Sequence, residues 1–168
     1  MISQAQRQKL IDSGHFVFSA DSQRADLLDP TKTNPGLIAF LIGLCIDKGH
    51  HFGVTAINSD HPTNDGGPDG LGHNAGCAID GAPMASATPG DWVNPTSAEY
   101  KLYLEDVAFL QPFQTGFSNG DTGGPNDTGD WYDNETAFAV PGLNPFHDDG
   151  GAHVHHGARK VVNGNYVN

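Results

Sequence analysis

Histidine and aspartate residues that could bind a metal are concentrated in two short stretches of this 168-residue chain. The first, His73-Asn-Ala-Gly-Cys-Ala-Ile-Asp80, has the pattern HxxGxAxD, and the second, His153-Val-His155-His156, contains HxH. A hydrolytic zinc ion needs three protein ligands, often imidazole and carboxylate groups, and an open position at which water becomes nucleophilic. The two stretches offer such a ligand set and a further imidazole for a general base.

The spacing within each stretch limits how its side chains can converge. His73 and Asp80 are seven residues apart and would face opposite sides of one straight strand, so the chain must bend between them, and Gly76 is the place for that bend. His153 and His155 are two apart and share one face of a strand, with roughly 7 Å between their Cα atoms. One of them can bind metal while the other handles a proton. His156 would face the opposite side, in a supporting or structural role.

The helices and strands that the sequence predicts around these residues indicate an α+β fold. A helix is expected to begin with Asn34 as its cap and Pro35 in its first turn, and to end before Gly49. Its residues 37–46 are apolar nearly all round, so the helix should be central. A strand is expected next, over residues 51–58. A helix that leads through a glycine turn into a buried strand favours an α+β layer. We expect one domain, 1–168, with a small antiparallel sheet, helices packed on one side and a loop-lined zinc cleft.

The remaining elements are predicted from caps, periodicity and turn residues. They are a helix at 3–13, loops at 21–33 and 59–72, a core strand at 77–80, a helix at 97–110, a long ordered loop at 111–134, strands at 136–140 and around Val154, and a hairpin at 161–167 that turns at Asn163-Gly164.

Composition excludes several classes of function. The chain has 20 Asp and Glu against 8 Lys and Arg, a net charge of −12, which disfavours nucleic acid as a partner. Its most hydrophobic run, 37–46, is too short to cross a membrane, and the polar N-terminus lacks the features of a secretory signal. These observations predict a soluble protein. Cys45 and Cys77 are interpreted as small core residues rather than a bridge, and their redox state stays open.

The two motifs, taken in this order, resemble those of the LAS metallopeptidases, the family that groups lysostaphin, D-alanyl-D-alanine metallopeptidases and the Hedgehog zinc domain. The likeness is greatest to its D-alanyl-D-alanine carboxypeptidase and murein endopeptidase branch. The helix from Pro35 to Cys45 and the strand residues Val54-Thr55-Ala56 stand in the family's order, so that the resemblance covers about 34–156.

This resemblance implies one Zn²⁺ per chain, bound by His73, Asp80 and His155, with His153 as general base. It further implies hydrolysis of a peptide bond in the stem peptide of bacterial peptidoglycan by metal-activated water. Whether the reaction is of the D,D-carboxypeptidase or the endopeptidase type stays open. Because a wall-cleaving enzyme without a secretory signal must reach its substrate otherwise, a phage lysin or virion-associated protein is the suggested setting.

The chain departs from the family pattern at an arginine. Family members usually carry Arg at the end of the ValThrSer-type strand, where this chain has Asn58-Ser59-Asp60-His61, and Leu71 stands where Ser or Thr is usual. Oxyanion stabilisation would then come from His61 or from a backbone N–H. The alternative is a LAS-fold binding or structural module of a virion or cell surface in which catalysis is weak or lost.

Other polar and aromatic residues have competing interpretations. The loop from Asn119 to Asp133 could bind Ca²⁺ through its oxygens, although it lacks the EF-hand pattern and a surface loop is favoured. A structural virion protein with calcium-binding acidic loops and incidental histidines is therefore a second alternative. Trp92, Trp131 and Tyr132 are interpreted as core or loop anchors. Surface or packing roles are expected for His15, His50, His51 and His147, of which His147 is notable because Asp148 and Asp149 follow it.

Overall fold

The computed structural model describes residues 2–59, 73–94, 97–110, 114–118, 130–133, 153–158 and 160–167. Its helices are α1 Gln4–Asp12, α2 Asp21–Leu28, α3 Pro35–Leu41 and α4 Ala98–Leu110, and a π-helical segment, Ile42–Asp47, continues α3. Its strands are β1 Phe16–Phe18, β2 His51–Ala56, β3 Ala78–Met84, β4 Gln114–Ser118, β5 Asp130–Asp133, β6 His153–Gly157, β7 Lys160–Val162 and β8 Asn165–Val167. Helices and a sheet in one chain agree with the predicted α+β class.

Six strands form one mixed sheet in the order β1-β2-β3-β6-β4-β5, and β7 pairs with β8 in a separate hairpin. The prediction of an antiparallel sheet is wrong for β1 and β2, which run parallel, whereas the other described pairs are antiparallel. The reason lies in the connection. Helices α2 and α3 lie between β1 and β2 in the chain, and such a crossover, unlike a hairpin, can return the chain in the same direction.

The helix that leads into β2 begins as the sequence predicts. The Asn34 side chain accepts a hydrogen bond from the backbone N–H of Gly36, and Pro35 occupies the first turn. The helix tightly approaches α4 at Gly43, where a Cβ would lie 2.7 Å from a methyl group of Leu110. A side chain at this position would require the Leu110 side chain to move.

The core lies against one face of the sheet, which we call the core face. Phe52 and Val54 of β2 and Ile79 of β3 join a cluster with residues of all four helices. Because side chains alternate along a strand, Asp80, Ala82 and Met84 of β3 lie on the other face, which we call the Asp80 face. Gly53 pairs with Ala82 and therefore belongs to the Asp80 face as well. All seven residues of β3 are buried, so this strand is covered on both sides.

Four details of the fold differ from the sequence predictions. The predicted loop 21–33 contains α2, the predicted loop 111–134 contains β4 and β5, β1 was not predicted, and β3 continues beyond Gly81. Helix α2 is held by tertiary contacts that local sequence does not reveal: Leu27 is buried, and the Gln23 amide donates to the carbonyl of Thr55. Gly81 permits pairing instead of ending the strand, since a Cβ there would lie 2.1 Å from the carbonyl oxygen of Gly53.

Several predicted elements are confirmed. The structure has the first helix, the helix that ends at Leu110, the strand at β2 and the C-terminal hairpin. Asn163 and Gly164 both have positive φ, 51° and 81°, as a two-residue hairpin turn requires. The predicted strand 136–140 lies outside the described residues.

Candidate metal centre

His73 and Asp80 converge because the chain bends at Gly76. His73 begins a short 3-10 turn that ends at Ala75, Gly76 follows with φ of +67°, and β3 starts at Ala78. The bend is packed against the segment before α3, where a Cβ on Gly76 would lie 2.3 Å from the carbonyl oxygen of Lys32. Gly76 is therefore required both for its backbone conformation and for this close approach.

The imidazole of His73 is held in one orientation by the backbone after β2. Its Nδ1 lies 2.8 Å from the carbonyl oxygen of Ile57 and must donate to it, because a carbonyl only accepts. The Asn58 amide donates to the carbonyl oxygen of His73 at 2.8 Å. His73 is 1% exposed. With Nδ1 protonated, the neutral ring carries its lone pair on Nε2, which is the tautomer that a metal-binding histidine needs.

The atom opposite that lone pair is a carboxylate oxygen. His73 Nε2 lies 3.2 Å from Oδ1 of Asp80, and the Asp80 side chain is nearly buried. Two acceptors at this distance repel each other unless a proton or a cation lies between them. A charge-assisted N–H···O bond is usually about 2.7–2.9 Å long. Two ligands at about 2.0–2.1 Å from a tetrahedral zinc lie roughly 3.3–3.4 Å apart. The observed 3.2 Å lies near the second value and at the long end of N–H···O hydrogen bonds, so the pair is compatible with a shared metal ion.

The register of β3 and β6 places residue 155 beside this pair. Asp80 is paired directly with His155, and Ile79 with His156. Directly opposite positions of antiparallel strands share a face with about 4.5–5.5 Å between Cβ atoms. Position 155 therefore falls on the Asp80 face, as does position 153, two residues away. The structure describes the backbone of both residues, while their side chains lie outside the described part of the chain.

Buried polar contacts hold the backbone around the pair. Asp26 is 3% exposed and accepts hydrogen bonds from the backbone N–H and the hydroxyl of Ser59, each at 2.6 Å. The N–H of Asn34 donates to the carbonyl of Gly76 at 2.8 Å, while its side chain bonds to both backbone groups of Val161. The backbone after β2 and the bend at Gly76 are thus fixed by contacts from α2 and from the start of α3, and β7 in turn contacts Asn34.

A buried arginine holds the segment that precedes α3. The guanidinium of Arg7 donates to the carbonyls of Leu27 and Thr33 and to the Thr33 hydroxyl, at 2.6–2.7 Å. Burial lowers the pKa of Arg7, an effect that Asp29 partly offsets. The sequence patterns predict no role for Arg7. Arginine is rare in this chain, but its rarity does not indicate which residues Arg7 contacts.

His156 lies on the core face, as strand alternation predicts. It is fully buried, its Nε2 and the hydroxyl of Tyr103 form a hydrogen bond, and its ring packs against Phe40 and Phe52. Burial also raises the pKa of Tyr103 well above its usual value, so the hydroxyl keeps its proton. His156 therefore ties β6 to α4 directly behind position 155.

The structure describes only some of the other residues that the sequence singles out. Trp92 is 50% exposed and lies on the Asp80 face, where a Cβ on Gly53 would meet its ring at 2.5 Å. Trp131 and Tyr132 are in β5, but their side chains lie outside the described residues. The same holds for the whole of Asp60, His61, Leu71 and His147 and for most of the loop from Asn119 to Asp133, so the oxyanion and calcium predictions stay predictions.

Cys45 and Cys77 are both buried and are not joined by a disulfide, which agrees with their interpretation as core residues. Burial raises the pKa of the Cys45 thiol far above its usual range.

Within the described ranges, no group of three or more His, Cys, Asp or Glu side chains is placed to hold a metal. His73 and Asp80 are two of the three ligands that the sequence predicts, and the side chain of the third, His155, lies outside the described residues.

Comparison with known proteins identifies no relative: no family model, no curated protein and no solved structure matches the chain. Among the described helices, none is long and apolar enough to span a membrane. Function must therefore be argued from the site.

Proposed function

We propose that this protein is a zinc-dependent peptidase of the LAS type that cleaves a peptide bond in bacterial peptidoglycan. The observation that carries the proposal is the buried pair of His73 Nε2 and Asp80 Oδ1 at 3.2 Å, with His73 Nδ1 bonded to a carbonyl. The ligand set would be His73, Asp80 and His155, and the metal would act as a Lewis acid toward the attacked carbonyl. The peptidoglycan substrate rests on the motif resemblance alone.

Three residues of the chain would have the remaining roles in binding the metal and in proton transfer. Ile57 orients the ring of His73, and the carboxylate of Asp80 supplies the negative charge that a buried cation requires. His153 would accept a proton from the attacking water and deliver it to the leaving amine nitrogen, so that one water is consumed and a carboxylate and an amine are released. Positions 153 and 155 share a face, so the base would stand beside the ligand.

The Asp80 face also offers a wall for the substrate. Trp92 packs on Gly53 and Met84 of this face and leaves half of its surface exposed. Met84 is four residues from Asp80 along β3, which is about 13 Å. An extended peptide of a few residues that is bound at the metal would reach the indole. We propose that Trp92 contacts the substrate on this side.

The test combines metal analysis with a peptidoglycan digestion assay on the same samples. Wild-type protein should contain zinc and release new amino or carboxyl termini from purified sacculi. His73→Ala and Asp80→Ala should each bind one zinc equivalent fewer than the wild type and lose activity, because each removes a ligand. His153→Ala should keep its zinc and lose turnover by about 10²–10⁴-fold, as expected for a general base.

The matched control is His50→Ala, which removes a histidine that pairs with Asp106 instead of facing the site. It should keep both zinc and activity. Loss of zinc in His153→Ala would mean that the ligand and base roles are exchanged. Wild-type protein that binds no zinc, or an Asp80→Ala variant that binds as much zinc as the wild type, would refute the metal centre.

A second candidate function, a zinc-containing binding or structural module, is favoured by the placement of the arginines. Arg7 is buried in hydrogen bonds to the backbone, and Arg24 lies over the ring of Phe18 at β1. Arg159, the remaining arginine of the sequence, lies outside the described residues. Zinc-loaded protein that binds sacculi in a sedimentation assay, without releasing termini at any pH or in the His61→Arg variant, would support this function over hydrolysis.

A further inference from the structure

A pair of histidines lies on the Asp80 face, away from the candidate metal centre. His15 directly precedes β1 and His51 begins β2, and the backbone N–H of Phe52 donates to the carbonyl of His15 at 2.8 Å. Their ring centroids are 4.7 Å apart and the ring planes are inclined by 31°. The parallel pairing of β1 with β2 therefore brings together two residues that are 36 positions apart in the chain.

Both rings have a polar atom that the described protein leaves unsatisfied. The Nδ1 atoms of His15 and His51 are each buried and have no hydrogen-bond partner among the described residues. A buried polar atom without a partner is destabilising, and two adjacent imidazoles that share this feature call for a common explanation. A ligand that accepts two nitrogen lone pairs at once would satisfy both atoms.

The distance between the rings fits two imidazoles on one metal ion. With metal–nitrogen bonds of about 2.0–2.1 Å and bond angles of about 90–109°, the centroids of two such rings lie roughly 4.5–5.2 Å apart. Stacked aromatic rings can also lie at this distance, so the distance permits a metal without requiring it. The two Nδ1 atoms without a partner favour the metal, because simple stacking would leave both of them unsatisfied.

The surroundings of His15 favour its neutral form. Burial, followed by the nearby His51, lowers the pKa of His15, and a hydrogen bond to the backbone of His50 offsets this only in part. The adjacent His50 does not compete for the same ligand, because its Nε2 donates to Asp106 at 2.8 Å, and Lys48 neutralises the same carboxylate. A neutral imidazole donates through one nitrogen only, so each ring can offer the lone pair of its other nitrogen to a cation.

We propose that His15 and His51 form a second, two-histidine site for a borderline divalent transition metal such as Zn²⁺ or Ni²⁺. Imidazole nitrogen is a preferred ligand of these ions. Solvent or a carboxylate of a bound molecule would complete the coordination. His51 pairs with Met84, four residues from Asp80, so the two sites are about 14 Å apart and separate. Ions that share a two-metal site are about 3.5–4 Å apart. The proposal does not depend on the peptidase function.

The test counts zinc by equilibrium dialysis in the wild type and in three variants. His15→Gln and His51→Gln should each bind one equivalent fewer than the wild type. The matched control, His50→Gln, should bind as much as the wild type, because its ring is engaged by Asp106. Equal zinc content in all four proteins would overturn the proposal, whether or not the centre at His73 binds metal.

A second measurement keeps the proposal testable if a variant fails to fold. Long-range ¹H–¹⁵N spectra of wild-type protein report the two nitrogens of each imidazole separately. On addition of Zn²⁺ the Nδ1 signals of His15 and His51 should both shift, at the same metal ratio. Signals that do not move, or that move only for residues elsewhere, would show that a trapped water or the packing alone satisfies the pair.

Discussion

Replacing Gly76 by alanine should destabilise the fold more than the same change at Gly14. Both glycines have a positive φ, +67° and +75°, so both substitutions incur the cost of a left-handed conformation, about 1–2 kcal/mol. The surroundings differ. A Cβ on Gly14 would meet nothing within 4 Å, whereas on Gly76 it would lie 2.3 Å from the Lys32 carbonyl oxygen and 2.9 Å from Cα of Thr33.

The difference in unfolding free energy between the two variants measures the steric cost at Gly76, because the cost of the positive φ is common to both. The atoms near Gly76 are backbone, held by the hydrogen bond from Asn34 to the Gly76 carbonyl and by Arg7. Forcing a methyl group into a packed site typically costs about 1–3 kcal/mol. The free energy of unfolding of Gly76→Ala should therefore be lower than that of Gly14→Ala by about this amount.

Urea denaturation of both variants and the wild type measures the difference. With a slope of about 2 kcal/mol per molar urea, the midpoints of the two variants should differ by about 0.5–1.5 M. Equal midpoints would refute the account of the bend, because they would show that the 32–34 segment yields at no cost. Zinc content provides a second measurement: Gly76→Ala should bind one zinc equivalent fewer than the wild type if the turn positions His73, and Gly14→Ala should bind as much as the wild type.

Three further predictions concern buried polar groups. Tyr103→Phe should lose about 1–3 kcal/mol of stability, because it removes the hydrogen-bond partner of buried His156; an unchanged urea midpoint would contradict this. Arg7→Met should destabilise by at least as much, since the carbonyls of Leu27 and Thr33 lose their donors, and Lys9→Met, on the exposed side of α1, is the control. The third concerns acid stability and His15, whose folded pKa is lowered. Its folded form binds fewer protons than the unfolded chain, so its contribution is fully present above about pH 6.5 and decreases as the pH falls. Metal-free His15→Gln should therefore lose less stability than the wild type on acidification, and parallel losses would refute this.

The class of fold and most of the individual elements were predictable from local sequence. Asn34 and Pro35 mark a helix start wherever they occur in this order, and Asn163-Gly164 supplies the positive φ values of a hairpin turn. These signals act within a few residues, so they do not depend on the rest of the molecule. Helix α2 and strand β1 were missed because contacts distant in the chain, such as that of Gln23 with Thr55, stabilise them.

The candidate site, too, was predictable from local sequence only in part. The sequence by itself determined the residue types and the bend, since HxxGxAxD contains a glycine where His73 and Asp80 need one. It also determined that His156 faces away from position 155, because side chains alternate along any strand. Tertiary structure alone decided the strand register that sets Asp80 opposite His155, the carbonyl of Ile57 that orients His73, and the parallel pairing that joins His15 to His51. These are contacts between distant segments, and their geometry depends on how the helices and strands pack into one core.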